Sequence, residues 1–339
     1  MRRISFQPWS EMTEVLRKLG LYLQGPYAYH APSSLDTRSL AVETAPLGRY
    51  YIDQTIPLNF GHWPTFDDHG IPWRQNRDGS GFFHNYTTIG GYALAHVDMY
   101  LLTGEQHHLD EVVKNCDYAL ATVDRSNEVW RLRKEENPGQ GHIGGVSSID
   151  HGVWMSLLCR AWQVTRRDEY LDTAVKLGAL MDVPVSEDGA LGYMDVGGKL
   201  PWYEEETTSD FKILNGMIYA LWGLLDTAIV ANDTRANEQW EAGVNSVATA
   251  LPLFDAGYWS WYGVSESLPA YIASMKYHSL HIVQLDILAG QADYSTIKRY
   301  AAQFTEHARR PVNRLRAGTK MAMTKSQGME RYRSETAQA

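Results

Sequence analysis

Gly91-Tyr92-Ala93-Leu94-Ala95-His96-Val97-Asp98-Met99-Tyr100-Leu101-Leu102-Thr103-Gly104 is the stretch from which the fold is read. Residues 91–102 are apolar with helical spacing, and Thr103-Gly104 breaks the run. A second helix is expected from His108-Leu109 to Val123. Val153 to Val164 follows the same pattern, with a break at Thr165-Arg166-Arg167 and Glu169-Tyr170-Leu171 opening a partner helix to about Met181. Gly216 to Val230 does so again, with Asn232-Asp233 as the break and Arg235 to Leu251 as the partner. The fourth pair is Tyr277 to Leu288, a break at Gly290, then Tyr294 to Ala308. A helical hairpin has no way to bury its apolar side alone, so successive hairpins must stack. The pattern predicts a mainly α fold: an α/α toroid, as an incomplete (α/α)6-type barrel of hairpins with the first helix of each pair inside. An open superhelix of hairpins is the alternative.

Outside the repeats the pattern changes. Residues 10–24 carry an amphipathic helix (Met12, Val15, Leu16, Leu19, Leu21) stopped by Gly25-Pro26. From Tyr27 to Gly81 periodicity is poor, with short extended pieces such as Tyr50-Tyr51-Ile52-Asp53, so an irregular lead-in with a candidate β-hairpin is expected. The domain plan is then 1–80 as N-terminal helix and lead-in, 81–310 as the α/α catalytic domain, and 311–339 as a flexible basic tail. That tail holds Arg314, Arg316, Lys320 and Lys325, just after Arg309 and Arg310.

At 339 residues, with 44% hydrophobic and 21% charged residues, the chain has ample material for a core. The net charge of −9 argues against a nucleic-acid partner. No run of eighteen apolar residues and no secretory leader is visible, so no membrane partner and a cytoplasmic location are the expectations. Cys116 and Cys159 lie within apolar helical patterns and read as buried thiols. There are 11 Trp and 20 Tyr against 8 Phe, which suits either a wet cleft that stacks on sugar rings or ordinary aromatic packing.

The polar residues keep one phase. Each unusual cluster falls at the start of the first helix of a pair: Phe82 to Thr88, Ser147 to His151, Trp202 to Thr208, and Tyr258 to Tyr262 with Tyr277-His278. In a closed toroid these segments meet on one rim, and function gathers on loops that a scaffold aims at one place. Every cluster also has a plainer reading. Asn85 and the Ser147 segment suit helix caps. Glu204-Glu205-Glu206 suits a solvated acidic run. Trp259, Trp261 and Tyr262 suit packing, and Tyr277, His278 and His281 suit a core helix. Metal-specific spacing of Cys or His is missing, and the pair His107-His108 is too common to count. No phosphate-binding glycine loop is evident either, so neither metal nor cofactor is expected.

Trp202-Tyr203-Glu204-Glu205 with Thr207-Thr208 and Ile213-Leu214-Asn215-Gly216 resembles a signature of the D-glucuronyl C5-epimerases. Gly257-Tyr258-Trp259-Ser260 with Tyr262 is similar to a second, and Tyr277-His278 with His281-Ile282 and Gln284-Leu285 to a third. His84 to Ile89 with Tyr92-Ala93-Leu94 looks like the start of that family's helical domain. The resemblance runs from about Gly81 to Ala308. It implies inversion at C5 of D-glucuronic acid residues within an acidic polysaccharide of the heparosan or heparan type, giving L-iduronic acid, without a redox cofactor. It carries proton transfer to Tyr277, Glu204 and Glu205, with Tyr262 as another active-site tyrosine. The segments around these supply the substrate-binding candidates Asn85, Tyr86, Asp150, His151, Tyr203, Trp259, Trp261, Lys276, His278 and His281. Members are often dimers, so a homodimer is expected. This chain departs from the pattern at Glu206, where a tyrosine and a proline are usual, and at Gly263-Val264-Ser265, where animal members have an arginine.

The chemistry asks for these residue types. The C5 proton is acidic only when the adjacent carboxyl takes up charge as an enediolate, and inversion needs a base on one ring face and an acid on the other. The substrate carboxyl needs a cation, for which Lys276, Lys212 and Arg160 are candidates. Three rivals remain: a polysaccharide lyase, an inverting glycoside hydrolase using Glu205 and Asp150, and a non-catalytic glycan-binding protein.

Overall fold

Asn85, in extended backbone, accepts a 2.9 Å hydrogen bond from Thr88 N and so starts the first core helix, in the manner of an N-cap. The structure is a computed structural model that describes residues 47–55, 65–76, 79–137, 142–143, 145–267 and 269–336, with the backbone alone at 136–137, 142–143 and 324–336. The expected helix at 10–24, the N-terminus and most of the lead-in lie outside the described residues. What is described falls into two compact units, one within His30–Ala250 and one within Leu251–Ala339. Among the described residues the chain is mainly α.

In the larger unit a short antiparallel ladder joins β1 (Arg74–Gln75) to β2 (Phe82–Phe83), a hairpin that straddles the end of the expected lead-in, whereas Tyr50 to Asp53 forms no strand. Then come α1 (Tyr86–Thr103) and α2 (Gln106–Thr122), and the small pair β3 (Glu136–Asn137) and β4 (His142–Ile143). The second hairpin is α3 (Ser148–Thr165) and α4 (Asp168–Gly178), followed by the ladder of β5 (Leu191–Asp195) and β6 (Lys199–Tyr203). After β7 (Lys212–Ile213), α5 (Leu214–Ala231) and α6 (Thr234–Ala250) close the unit. All three first helices end in one left-handed residue: Gly104 (φ 71°), Arg166 (φ 58°) and Asn232 (φ 53°). That is the usual helix stop, carried here once by an arginine.

The helices start earlier than the apolar runs. α3 begins at Ser148 rather than Val153, which puts Asp150 and His151 in its first turns instead of in a loop. Polar residues that cap and satisfy the first turn are invisible to a hydrophobic pattern.

α1, α3 and α5 are buried around most of their circumference, whereas α2, α4 and α6 bury one stripe. The first helix of each pair is thus the interior one. α3 and α5 meet at glycines: a Cβ on Gly152 would lie 2.3 Å from Tyr219 O, and one on Gly223 2.5 Å from Gly152 O. Only a residue without a side chain allows backbones to approach this far. α5 is long and apolar enough to cross a membrane by length and composition, yet 67% of it is buried inside the protein.

The smaller unit contains β8 (Trp261–Val264) antiparallel to β9 (Tyr271–Ile272), then α7 (Met275–Gln291), α8 (Ser295–Arg309) and α9 (Pro311–Thr336). Its core gathers Trp259, Ile272, Ala273, Met275, Ala308, Ala317 and Met321. The segment expected to be a flexible basic tail is helical here from Pro311, a residue suited to a first helical turn. Ala317 and Met321, one turn apart, anchor it to that core. Cys116 and Cys159 are free and buried, as expected.

Candidate active site

In the larger unit the N-terminal ends of α1, α3 and α5 are tied together. Ser148 N donates to Glu204 O at 2.9 Å, Ser148 Oγ to Tyr203 O at 2.9 Å, and Ser147 Oγ to Glu205 O at 2.7 Å. Thr87 Oγ1 donates to Asp150, and Trp154 Nε1 to Tyr86 O at 2.9 Å. Three of the four polar clusters are therefore neighbours.

Glu204 follows β6 and is buried, with 2% exposure. Its Oε1 forms an ion pair with Lys212 Nζ, itself nearly covered. Burial outweighs the attraction of Lys212 and pushes the Glu204 carboxyl up to about 7. The carboxyl lies flat on β5: a Cβ at Gly192 would sit 1.9 Å from Glu204 Oε1. Glu205 is half-buried over the first turn of α5. Its Oε2 accepts from Asn215 Nδ2 at 3.3 Å, and a Cβ at Gly216 would be 2.3 Å from it. A carboxylate over a helix N-terminus is electrostatically favoured. Lys134 Nζ reaches Glu205 O at 3.4 Å. This second lysine carries no motif and was not anticipated; only the chain path between α2 and α3 brings it there.

Several expected substrate contacts turn inward instead. Tyr203 is 2% exposed and donates through its hydroxyl to Gln239 O at 2.7 Å. Tyr86 is buried with its hydroxyl donating to Thr122 Oγ1 at 3.1 Å. His151 is wholly buried: Nε2 accepts from Leu132 N at 3.2 Å and Nδ1 donates to Ser147 O at 2.9 Å. Burial lowers its pKa to about 4, so it is a neutral pin. Asp150 is also buried, in the first turn of α3, and Asn85 serves as the cap of α1. Arg160 lies at the far end of α3, fully buried, paired with Asp226 at 2.5 Å and under the rings of Tyr50 and Tyr51. It is committed there and is not the cation for a substrate carboxyl.

The smaller unit carries the fourth cluster. Trp259 is wholly buried, stacked on His278 with ring centroids 3.7 Å apart, and donates through Nε1 to Ala273 O at 3.0 Å. It is a core residue with no open face for a sugar. His278 accepts at Nδ1 from Ser260 N at 3.1 Å and donates from Nε2 to Phe304 O at 3.1 Å. His281 Nδ1 is 2.9 Å from Ser260 Oγ. Both rings are buried, and burial lowers His278 well below the usual range and His281 to about 3. They tie α7 to Ser260, just before β8, and to Phe304 of α8 as buried neutral groups, not as open substrate contacts. Tyr262 on β8 and Tyr277 in the first turn of α7 are half-buried, with ring centroids 4.6 Å apart and planes inclined at 59°. Ser274 Oγ accepts from Tyr277 N at 3.3 Å and caps that turn. Trp261 is half-buried and Lys276 exposed. The residues expected to move protons are therefore divided, with Glu204 and Glu205 in one unit and Tyr262 and Tyr277 in the other.

A D-glucuronyl C5-epimerase of Caenorhabditis elegans is 30% identical over 181 residues, which is 49% of this chain and 29% of that enzyme. The match thus spans less than a third of that relative. An uncharacterized protein of Methanocaldococcus jannaschii is 25% identical over 219 residues, 63% of this chain and 70% of that one. Among solved structures, cellobiose 2-epimerase from Bacillus thermoamylovorans has a TM-score of 0.50 at 10% identity, covering 65% of this chain and 58% of that one. At such identity the likeness is one of fold, and the fold class is the α/α barrel. The family model described as D-glucuronyl C5-epimerase C-terminus matches residues 124–306, a stretch that contains both glutamates and both tyrosines. That match takes in more than half of the chain, and the protein belongs to the D-glucuronyl C5-epimerase family.

Proposed function

We propose that the chain is a carbohydrate C5-epimerase that inverts D-glucuronic acid residues within an acidic, heparosan-like polysaccharide to L-iduronic acid. The observation that supports this most is the buried Glu204 carboxyl paired with Lys212 beside half-buried Glu205 in a chain of this family, where burial pushes the Glu204 carboxyl up to about 7. A general base works best when its pKa lies near the operating pH. In this reading a carboxylate of the Glu204–Glu205 pair takes the C5 proton, and the return of a proton falls to the Tyr277 phenol, the role that the family resemblance carries to it. The electron pair left at C5 is held by the substrate carboxyl as an enediolate, and a lysine, Lys212 or Lys134, supplies the charge that stabilises it. Protons exchange with water between turnovers, so the reaction consumes no partner reagent. Tyr262, packed on Tyr277, orients the phenol, and Trp261 remains as the aromatic surface for a sugar ring.

Incubation of glucuronate-containing polymers in deuterated water, followed by NMR at C5, tests this. Deuterium at C5 with new iduronate signals is the expected result, reduced about 10²–10⁴-fold in Tyr277→Phe and in Glu204→Gln. An unsaturated product absorbing in the ultraviolet would mean a lyase, and new reducing ends a hydrolase. Polymer binding that persists in both variants without exchange in the wild type would mean a binding protein.

A further inference from the structure

At the opposite end of α1 from the polar clusters, Gly104 turns the chain into α2 and collects three ligand-type side chains. Glu105 is the N-cap residue of α2, and His107 and His108 lie in its first turn. His107 Nδ1 is 3.5 Å from Glu105 Oε2, and His108 Nε2 is 4.0 Å from the same oxygen. The three ligand atoms all fall within 4.8 Å of one another. These separations are long for hydrogen bonds. They are close to the spacing of about 3.4 Å that two ligands adopt around one tetrahedral zinc with bonds of about 2.0–2.1 Å.

A second observation concerns the ring behind them. His108 is buried, and its Nδ1 lies 2.8 Å from Nδ1 of His96 on α1. His96 is 6% exposed and packs on Tyr92, and its Nε2 has no hydrogen-bond partner among the described residues. Two imidazole nitrogens at this distance must share one proton. When His108 supplies it from Nδ1, its Nε2 is left unprotonated, 4.0 Å from the Glu105 carboxylate. Two acceptors then lie near each other, an arrangement that a cation between them resolves. Ligating histidines are commonly oriented in this way, by a hydrogen bond from the other ring nitrogen.

We propose that Glu105, His107 and His108 form a binding site for one zinc-like divalent cation, with His96 holding His108 in the tautomer that offers Nε2. Two imidazoles and one carboxylate suit zinc, cobalt or nickel, whereas magnesium and calcium favour all-oxygen sets. The Glu105 charge offsets the positive end of α2, which would otherwise repel a cation. Glu105 and His107 are exposed, so the fourth position is open to water and the cation exchanges with solvent. With α1 18 residues long, the site lies about 27 Å of helix from Tyr86, which fits bracing of the α1–α2 turn rather than chemistry on a sugar.

Calorimetric titration of the tag-free full chain with zinc chloride, repeated with magnesium and calcium chloride, is the test. Saturation at one equivalent of zinc is expected, with cobalt giving the visible band of a four-coordinate ion and zinc raising Tm. Glu105→Ala and His107→Ala change exposed side chains and should leave far-UV circular dichroism unaltered while weakening zinc. His96→Phe, which keeps an aromatic ring but loses the nitrogen that orients His108, should weaken it about 10–100-fold. Absence of saturable binding at about 1 mM zinc, far above the affinity of a three-ligand site, overturns the proposal. So does unchanged affinity in the Glu105→Ala, His107→Ala double variant, since zinc would then be held elsewhere among the 12 histidines.

Discussion

Lys212 Nζ and Glu204 Oε1 form an ion pair beneath the surface, with Glu204 pressed against the bare Cα of Gly192 on its other side. The pair holds an acid whose pKa is near 7 within reach of a cation. Lys212→Met removes the group that lowers the Glu204 pKa, so the carboxyl should titrate higher still. The acidic limb of the pH profile of C5 exchange should move above about pH 7, by an amount set by one charge at contact distance. An unmoved limb with an otherwise active variant would show that another group titrates.

Gly216 lies in the first turn of α5, where alanine is the better helix former by about 0.5–1 kcal/mol. A methyl there would stand 2.3 Å from Glu205 Oε2 and displace that carboxylate. Gly216→Ala should leave Tm within a few degrees of wild type and lower kcat on the order of 10²-fold, the usual effect of misplacing a catalytic group by about 1 Å. Equal losses in stability and activity would make the glycine a packing residue only.

Arg160 and Asp226 are both fully buried, at 2.5 Å, with Tyr51 donating to Asp226 at 2.6 Å. Arg160→Met leaves a lone buried carboxylate and should cost about 3–5 kcal/mol in urea denaturation. Replacing Asp226 by leucine in the same chain removes that stranded charge, so the double variant should be the more stable of the two. Additive losses would deny the coupling.

Stability should depend on pH through the buried histidines. His96 and His281 are lowered to about 3, His151 to about 4, and His278 well below its usual range, all chiefly by burial. Below about pH 6.5 the unfolded chain binds protons that these rings refuse, so their contribution is present above 6.5 and lost as pH falls. Glu204 and Asp98, both raised to about 7 by burial, act in the opposite sense: their contribution is present below the ordinary carboxylate range and lost as pH rises through 7. The histidines outnumber these two carboxyls, so Tm should fall from pH 6.5 to 4.5. A flat or rising Tm in that window would mean that the rings are charged in the fold.

The two indoles of the fourth cluster should separate cleanly. Trp259→Ala empties a core site and should cost about 3–5 kcal/mol. Trp261→Ala, at a half-buried position on β8, should leave Tm little changed and raise KM for the polymer. Equal stability losses would place both indoles in the core.

Helical pairs, their interior first members and the stops at Gly104 and Asn232 were legible from residue order, because an apolar run and its terminator are local properties of the chain. The short signature from Trp202 to Gly216 likewise pointed to the family before any coordinates. What sequence left open was the direction each polar side chain takes. Trp259 and Trp261 look alike on paper, yet one is stacked on His278 and the other reaches solvent. His278 and His281 read as site residues until Ser260, 18 and 21 positions away, and Phe304, 26 positions away, are seen to satisfy them. Lys134, 71 positions from Glu205, had no signal at all. Whether a polar group is buried, and with which partner, is settled by segments remote in the chain, so only the tertiary structure decided it.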